Sequence, residues 1–113
     1  MTNYYHIENQ QIIDHEAHFT LRLDPSCEVY KGHFPTHPIA PGACSLEMIR
    51  QCTSIAIGQT VRFMKIKQCK YLLPLEPGIH SVLDLHLAWD DNTITAIMKW
   101  QELIAIKLKV SRS

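Results

Sequence analysis

A histidine and a glutamate near the middle of the chain have side chains that can exchange protons with a substrate. His33 lies in a proline-rich segment, and Glu47 follows it in the sequence. An imidazole with its ordinary pKa of ~6.5 is mostly neutral at pH 7, so His33 can act as a general base. Glu47 can act as a general acid only if an apolar pocket raises its pKa. Taken singly, each residue also has a plainer interpretation as a solvated polar side chain.

Gly42 adds a third chemical feature, because its backbone N–H lies at the predicted start of a helix. Such a group can donate to a carbonyl oxygen, and the helix dipole favours negative charge there. Glycine also has no Cβ, so a ligand can approach its backbone closely. Pro35, Pro38 and Pro41 restrict the preceding segment and reduce the entropy lost when the histidine is positioned.

The remaining histidines and the cysteines do not predict a metal site. The four cysteines include no C-x-x-C pair, so we expect free and mostly buried thiols. The spacing of His15 and His18 occurs among metal ligands. The spacing of His33 and His37 does as well, but prolines keep that pair off one helical face. We expect neither a metal nor an organic cofactor.

Hydrophobic patterning places a strand before the proline-rich segment and a helix after it. Ala17 to Leu23 alternates with the period of a half-buried strand, and another strand is expected around Gln11 to Asp14. Asp24 to Gly42 contains four prolines and two glycines, which predict a long loop. Ala43 to Ile57 contains neither residue type and stops at Gly58, as helices commonly do.

The predicted helix has an apolar half and one narrow polar stripe. At about 100° per residue, the apolar half contains Leu46, Met48, Ile49, Cys52, Ile55 and Ala56. The polar stripe consists of Glu47, Arg50, Gln51 and Ser54. We interpret Gln51 as a structural hydrogen-bonding residue. The helix should therefore be mostly buried.

Strands are predicted through the rest of the chain. They cover Val61 to Tyr71, Val82 to Trp89, Ile94 to Trp100 and Leu103 to Val110. A cluster of two aspartates and an asparagine after Trp89 favours a hairpin turn. The order of strands, loop, one helix and about four antiparallel strands predicts an α+β fold, with a sheet wrapped around a single hydrophobic helix.

Length and charge exclude several classes of protein. A chain of 113 residues and 13.0 kDa suits one domain over residues 1–113. Eleven basic side chains balance eleven acidic ones, so no basic field favours nucleic acid. The longest apolar run, Leu103 to Ile106, is far shorter than the ~20 residues of a membrane helix. Met1 to His6 lacks a signal-peptide pattern. We expect a cytoplasmic protein that binds neither nucleic acid nor membranes.

One segment carries a family resemblance. The residues from Gly32 to Gly42 read GHFPTHPIAPG, and Glu47 and Gln51 follow. This pattern resembles the signature of the 3-hydroxyacyl-(acyl carrier protein) dehydratases of fatty-acid synthesis, G-H-F-P-x-x-P-x-x-P-G with a carboxylate and a glutamine at these spacings. The close resemblance covers roughly Lys31 to Gln51. The Met-Ile-Arg run ending at Arg50 replaces the family's smaller Ala-Met-Ala type of sequence.

The resemblance implies a hotdog fold, in which the sheet wraps the helix, and a homodimer or dimer-based oligomer. It implies dehydration of a carrier-bound (3R)-3-hydroxyacyl thioester to the trans-2-enoyl thioester. His33 would remove the C2 proton, Glu47 would protonate the departing hydroxyl, and the Gly42 N–H would bind the thioester carbonyl. Phe34 and Pro41 are the further expected substrate-binding residues. In this family, the histidine loop of one subunit faces the helix carboxylate of the other.

Two other functions remain open at this stage. A hotdog thioesterase would use the helix carboxylate to direct water, although the intact G-H-F-P segment argues against it. A hotdog subunit without catalysis could instead support a partner. Two lysine pairs, Lys65 with Lys67 and Lys107 with Lys109, could contact an acidic carrier protein, but a solvated strand face is the more common situation.

Overall fold

The computed structural model describes residues 4–28 and 42–113, which contain six strands and a 16-residue helix. In chain order the elements are β1 Tyr5–Ile13, β2 Glu16–Leu23, α1 Gly42–Ile57, β3 Phe63–Tyr71, β4 Val82–Trp89, β5 Thr93–Trp100 and β6 Leu103–Arg112. The strands form one antiparallel sheet in the order β1-β2-β4-β5-β6-β3. The predicted α+β arrangement is confirmed.

The central strands bury alternate residues, which gives the sheet one apolar face. Phe19 of β2 lies opposite Leu85 of β4, which in turn lies opposite Met98 of β5, and all three are fully buried. Successive side chains of a strand point to opposite faces of the sheet, so the residues between them face outward. The strand pattern seen in the sequence therefore identifies the surface that the helix covers.

The helix α1 packs into the core formed by this face. Met48, Ile49 and Cys52 are fully buried in the same hydrophobic cluster as the central strands. The helix ends as predicted, because Gly58 adopts a positive φ of 86° and its N–H donates to the Ser54 carbonyl at 2.9 Å. The packing of the three buried side chains holds the polar stripe of α1 at a fixed position relative to the sheet.

The two edge strands differ most from prediction. The strand β1 covers nine residues, whereas only its C-terminal part was expected; most of its residues are exposed, and a register shift interrupts it between Ile7 and Asn9. The strand β3 begins at Phe63, and Val61 is instead a fully buried residue before it. Two register shifts in the β3–β6 pairing account for the ragged alternation of β3. Edge strands that bury little apolar surface carry little period-two signal.

Two further predictions need correction. On α1, Ile55 is exposed although it was assigned to the apolar half, and Thr53 is buried instead. The Thr53 hydroxyl is satisfied there, because it donates to the Ile49 carbonyl at 2.7 Å. In the predicted loop, Glu28 has helical backbone conformation, and residues 29–41 lie outside the described residues.

The thiols and the outer histidines have ordinary structural surroundings. All four cysteines are free, and burial raises the pKa of the Cys52 thiol to about 12. His18 contacts the Asp84 carboxylate at 3.4 Å on the outer face of the sheet. Within residues 4–28 and 42–113, no three histidine, cysteine or acidic side chains are placed to hold a metal ion. No helix in these ranges is long and apolar enough to span a membrane.

Candidate active site

The described residues include the helical half of the predicted site. Gly42 is the first residue of α1, and Glu47 lies less than two turns further along it. His33, Phe34 and Pro41 lie outside the described residues, so their roles stay predictions. The geometry of the site is therefore built from α1 and the segments that contact it.

A largely apolar cavity of about 290 Å³ borders the N-terminal end of α1. Its lining consists of Gly42, Ser45, Tyr71, Leu73, Pro74, Leu75 and Ile106. The segment after β3 forms one wall, and it is anchored where the N–H of Leu72 donates to the Ala105 carbonyl at 2.7 Å. The first turn of α1 contains no acidic residue, so no carboxylate there offsets the positive end of the helix dipole. The cavity thus combines apolar walls with a helix start that favours negative charge.

Tyr71 lies directly against Gly42 at this cavity. A Cβ built on Gly42 would lie 2.9 Å from the Tyr71 hydroxyl oxygen and 3.0 Å from its ring carbon Cζ. Residue 42 must therefore be glycine unless the tyrosine moves. Burial raises the pKa of Tyr71 to about 12, so its hydroxyl stays neutral at ordinary pH. Tyr71 could not be predicted from the sequence, because it enters the site through its sheet register opposite Ile106 on β6.

Glu47 is held by an arginine on its own helix. Arg50 donates from Nε to Glu47 Oε2 at 2.9 Å and from Nη2 to Oε1 at 2.5 Å. A third donor of the guanidinium, Nη1, bonds the Val61 carbonyl at 3.1 Å. This two-point contact between guanidinium and carboxylate is the geometrically specific kind of ion pair. Arg50 therefore connects the carboxylate to the chain that leaves α1.

The polar stripe continues from Glu47 to the first strand. Tyr5 of β1 donates from its hydroxyl to Gln51 Oε1 at 2.5 Å, and Gln51 Nε2 donates to Glu47 Oε1 at 3.3 Å. Because the tyrosine bond occupies the amide oxygen, the amide nitrogen faces the carboxylate. Gln51 thus has the structural hydrogen-bonding position that the sequence suggested. Tyr5 was not anticipated, since 46 residues separate it from Gln51.

The surroundings of Glu47 are opposite to those that a general acid requires. The side chain is 44% exposed, and its hydrogen bonds from Arg50 hold the pKa of the carboxyl below its usual range. Burial acts in the other direction but is outweighed. The apolar, water-poor pocket expected around Glu47 is not formed by the described residues of one chain.

The carboxylate and the cavity also lie on opposite sides of α1. Ser45 lines the cavity, and Glu47 follows it by two residues, which corresponds to a rotation of about 200° around the helix axis. Glu47 is accordingly absent from the cavity lining. Among the described residues, the structure therefore brings Gly42 together with Tyr71, and Glu47 together with Arg50, but does not unite the two groups.

A model of a known protein family matches the chain over most of its length. A family model described as ApeI-like, for the ApeI dehydratase, matches residues 8–105. The chain belongs to the ApeI-like dehydratase family. The match includes the polar stripe around Glu47, and it includes Gly42 and every lining residue of its cavity except Ile106.

Solved structures share the fold of this ApeI-like chain. The dehydratase heterocomplex ApeI:P from Xenorhabdus doucetiae contains a chain that is 25% identical, with a TM-score of 0.82 over 94% of this chain and 95% of that one. An uncharacterized protein from Erwinia carotovora subsp. atroseptica is 22% identical, with a TM-score of 0.76 over 96% and 91% of the two chains, which shows the fold alone. The predicted hotdog fold is confirmed.

A curated relative agrees with the resemblance seen in the sequence. The 3-hydroxyacyl-(acyl-carrier-protein) dehydratase FabZ of Novosphingobium aromaticivorans is 30% identical over 84 residues, covering 66% of this chain and 52% of the relative. The ApeI-like chain thus spans about half the length of the curated relatives it matches. The predicted kinship with the FabZ-like hotdog dehydratases is confirmed.

Proposed function

We propose that this chain is a hydro-lyase that removes water from carrier-bound (3R)-3-hydroxyacyl thioesters and yields trans-2-enoyl thioesters in fatty-acid or related acyl-chain synthesis. The observation that carries the proposal is the apolar cavity at the start of α1, beside Gly42. Family membership supports the reaction class. The four free thiols support a reducing compartment, so we place the reaction in the cytoplasm.

The cavity fits the two unlike parts of such a substrate. Leu73, Leu75 and Ile106 provide apolar walls for an acyl chain. The Gly42 N–H at the positive end of α1 would bind the thioester carbonyl, where negative charge develops when the C2 proton is removed. The contact with Tyr71 leaves no room for a side chain at residue 42. Because glycine has no Cβ of its own, its N–H is also not shielded by a side chain.

In this proposal, His33 and Glu47 are the two groups that act on the reacting atoms. His33 removes the proton from C2, and Glu47 binds the substrate's departing hydroxyl. Phe34 and Pro41 contact the substrate beside Gly42. These assignments extend the G-H-F-P resemblance, and the reaction needs only proton transfer and carbonyl polarisation, so we propose no metal and no organic cofactor.

We propose that two subunits share each site. Glu47 and the Gly42 cavity lie on opposite sides of one helix, so a single substrate would meet both groups only if a second chain supplied one of them. The edge strand β3 exposes the apolar side chains of Met64 at 65% and Ile66 at 52%, which a second subunit would cover. The dehydratase ApeI of the neighbouring structure occurs in a heterocomplex, which supports oligomerisation. We propose a homodimer as the basic unit.

We further propose that the carrier protein docks near the cavity mouth. Lys70 lies directly opposite Lys107 in the β3–β6 register, and Tyr71 of the cavity follows Lys70. This juxtaposition adds Lys70 to the lysine pairs recognised in the sequence. Like charges placed opposite each other favour an acidic partner, because that partner relieves their repulsion.

The test is an assay of the purified chain with 3-hydroxyacyl and saturated acyl thioesters. Dehydration is followed by absorbance of the enoyl product, and hydrolysis by release of free thiol. Enoyl product without thiol release supports the proposal. Thiol release from both substrates would identify a thioesterase. Absence of both signals, with a folded dimer, would indicate a subunit that supports a partner.

A further inference from the structure

Glu47 has one acceptor position left for a substrate. A carboxylate offers about four lone-pair positions. Arg50 occupies one on each oxygen, and Gln51 occupies a second on Oε1. The remaining position is on Oε2. Because the side chain is 44% exposed, a group from outside the chain can reach it.

Building on the proposed function, we propose that Arg50 is a positioning residue that holds Glu47 as an ionised carboxylate, and that Glu47 accepts a hydrogen bond from the substrate's 3-hydroxyl in this form. The fixed geometry carries the inference. The guanidinium contacts both carboxylate oxygens and is itself anchored to the Val61 carbonyl. A substrate hydroxyl would be oriented by a group that does not need to rearrange.

The groups around Glu47 leave it ionised. Arg50 is the charged residue that acts on it among the described residues, and its hydrogen bonds hold the pKa of the carboxyl below its ordinary value. Tyr4 and Tyr5 face it from the N-terminal segment and β1, and burial raises the pKa of both phenols, that of Tyr4 to about 12. Both tyrosines are therefore neutral at assay pH and add no negative charge that would favour protonation.

If Glu47 is ionised, the proton that the departing hydroxyl needs must come from His33. His33 takes the C2 proton and becomes an imidazolium. The C2–H electron pair forms the C2=C3 double bond while the C3–O bond breaks, and the departing hydroxyl takes the proton from the imidazolium and leaves as water. The histidine ends neutral, so protons and charge balance. Glu47 orients the hydroxyl throughout and donates no proton.

The experiment compares Arg50→Met, Arg50→Lys and wild type in the full-length protein. Methionine keeps an apolar stem but removes the charge, whereas lysine keeps the charge without the two-point contact. Arg22→Met is the matched control, since Arg22 pairs with Glu8 on the exposed outer part of the sheet. The readouts are a ¹³C NMR titration of the Glu47 carboxyl, assigned with Glu47→Gln, and the pH dependence of kcat/KM.

The expected results distinguish a Glu47 that orients the hydroxyl as a carboxylate from a Glu47 that donates a proton. In wild type, the carboxyl should titrate below the ordinary glutamate value of ~4.3, and kcat/KM should stay level at pH 8 to 9. In Arg50→Met, the carboxyl should titrate at higher pH, and kcat/KM should fall about tenfold at every pH, as expected for a misplaced group. Arg50→Lys should restore the titration but only part of the rate. Arg22→Met should change neither.

Two results would overturn the inference. A wild-type Glu47 that remains protonated near neutral pH, or an Arg50→Met variant faster than wild type at pH 8, would show that Glu47 works as a proton donor. If wild type dehydrates no thioester, the proposed function fails instead. The NMR titration still tests the Arg50 contact in that case, because it does not depend on turnover.

Discussion

The start of α1 and the polar stripe of α1 differ in how many of their polar groups already have partners within one chain. At the start, Gly42 borders a cavity of about 290 Å³, and the first turn carries no acidic side chain. In the stripe, the carboxylate of Glu47 is held by Arg50 and Gln51, which are bonded in turn to the Val61 carbonyl and to Tyr5. The helix start therefore provides space for a ligand, and the polar stripe provides a carboxylate whose position is already fixed.

This difference indicates a division of tasks. A cavity with apolar walls is suited to binding and placing an acyl chain. A carboxylate fixed before the substrate arrives is suited to orienting a reacting group, since no reorganisation is required during the reaction. Because the two regions face opposite sides of α1, the proposed shared site assigns them to different subunits of a dimer.

The largest expected effect comes from removing the two groups that act on the reacting atoms. His33→Ala and Glu47→Gln should each lower turnover by at least ~10²-fold, the usual lower range for losing such a group. Glu8→Gln is the matched control, since Glu8 also pairs with an arginine and is exposed on the edge strand β1. Circular dichroism should show native folding for all three variants. Near-wild-type turnover in either of the first two would refute the catalytic assignment.

The division between subunits can be tested by mixing inactive chains. When His33→Ala and Glu47→Ala chains are refolded together, half of the dimers are mixed, and each mixed dimer has one site with both native groups. Roughly a quarter of wild-type activity should therefore return. Mass spectrometry verifies the mixed dimers. No recovery in verified mixed dimers would place both residues in a site within one chain.

The parts of the fold that could be predicted are those that bury a regular face. Alternation around Phe19 identified β2, and the stop at Gly58 identified the end of α1. The sequence also placed Glu47 and Arg50 on one stripe. It did not show that their contact lowers the pKa of the carboxyl, which depends on side-chain geometry rather than on spacing.

The rest of the site could not be predicted because distant segments form it. Tyr71 meets Gly42 across 29 residues, and the contact depends on the register between β3 and β6. That register includes two shifts that no periodic pattern would suggest. Tyr5 reaches Gln51 from β1, a strand whose exposed residues gave a weak signal. Long-range contacts of this kind follow from the assembled sheet.

A smaller effect is expected from the lysines near the cavity, which are proposed to bind the carrier protein and not to act with the polar stripe. Lys70→Glu combined with Lys107→Glu should raise KM for a carrier-bound substrate about tenfold, because charge reversal opposes an acidic partner. KM for a short thioester without a carrier should stay unchanged. Lys99→Glu is the control, since Lys99 of β5 lies opposite Asp84 of β4 rather than opposite another lysine. Equal losses on both substrates would show that the lysines do not dock the carrier.

The smallest effect concerns the fit at the start of α1. Gly42→Ala should lower kcat/KM about fivefold, because the new methyl group would meet the Tyr71 hydroxyl at 2.9 Å and displace the cavity wall. Tyr71→Phe removes that oxygen but leaves the ring carbon Cζ at 3.0 Å, so the double variant should recover part of the loss. Tyr71→Phe alone should change kcat/KM less than twofold, because its hydroxyl contact to the Gly42 carbonyl is long, at 3.4 Å. A double-variant cycle measures this coupling directly. If the two substitutions combine additively, the contact between Tyr71 and Gly42 does not determine the geometry of the cavity, and the loss in Gly42→Ala must come from the helix start itself.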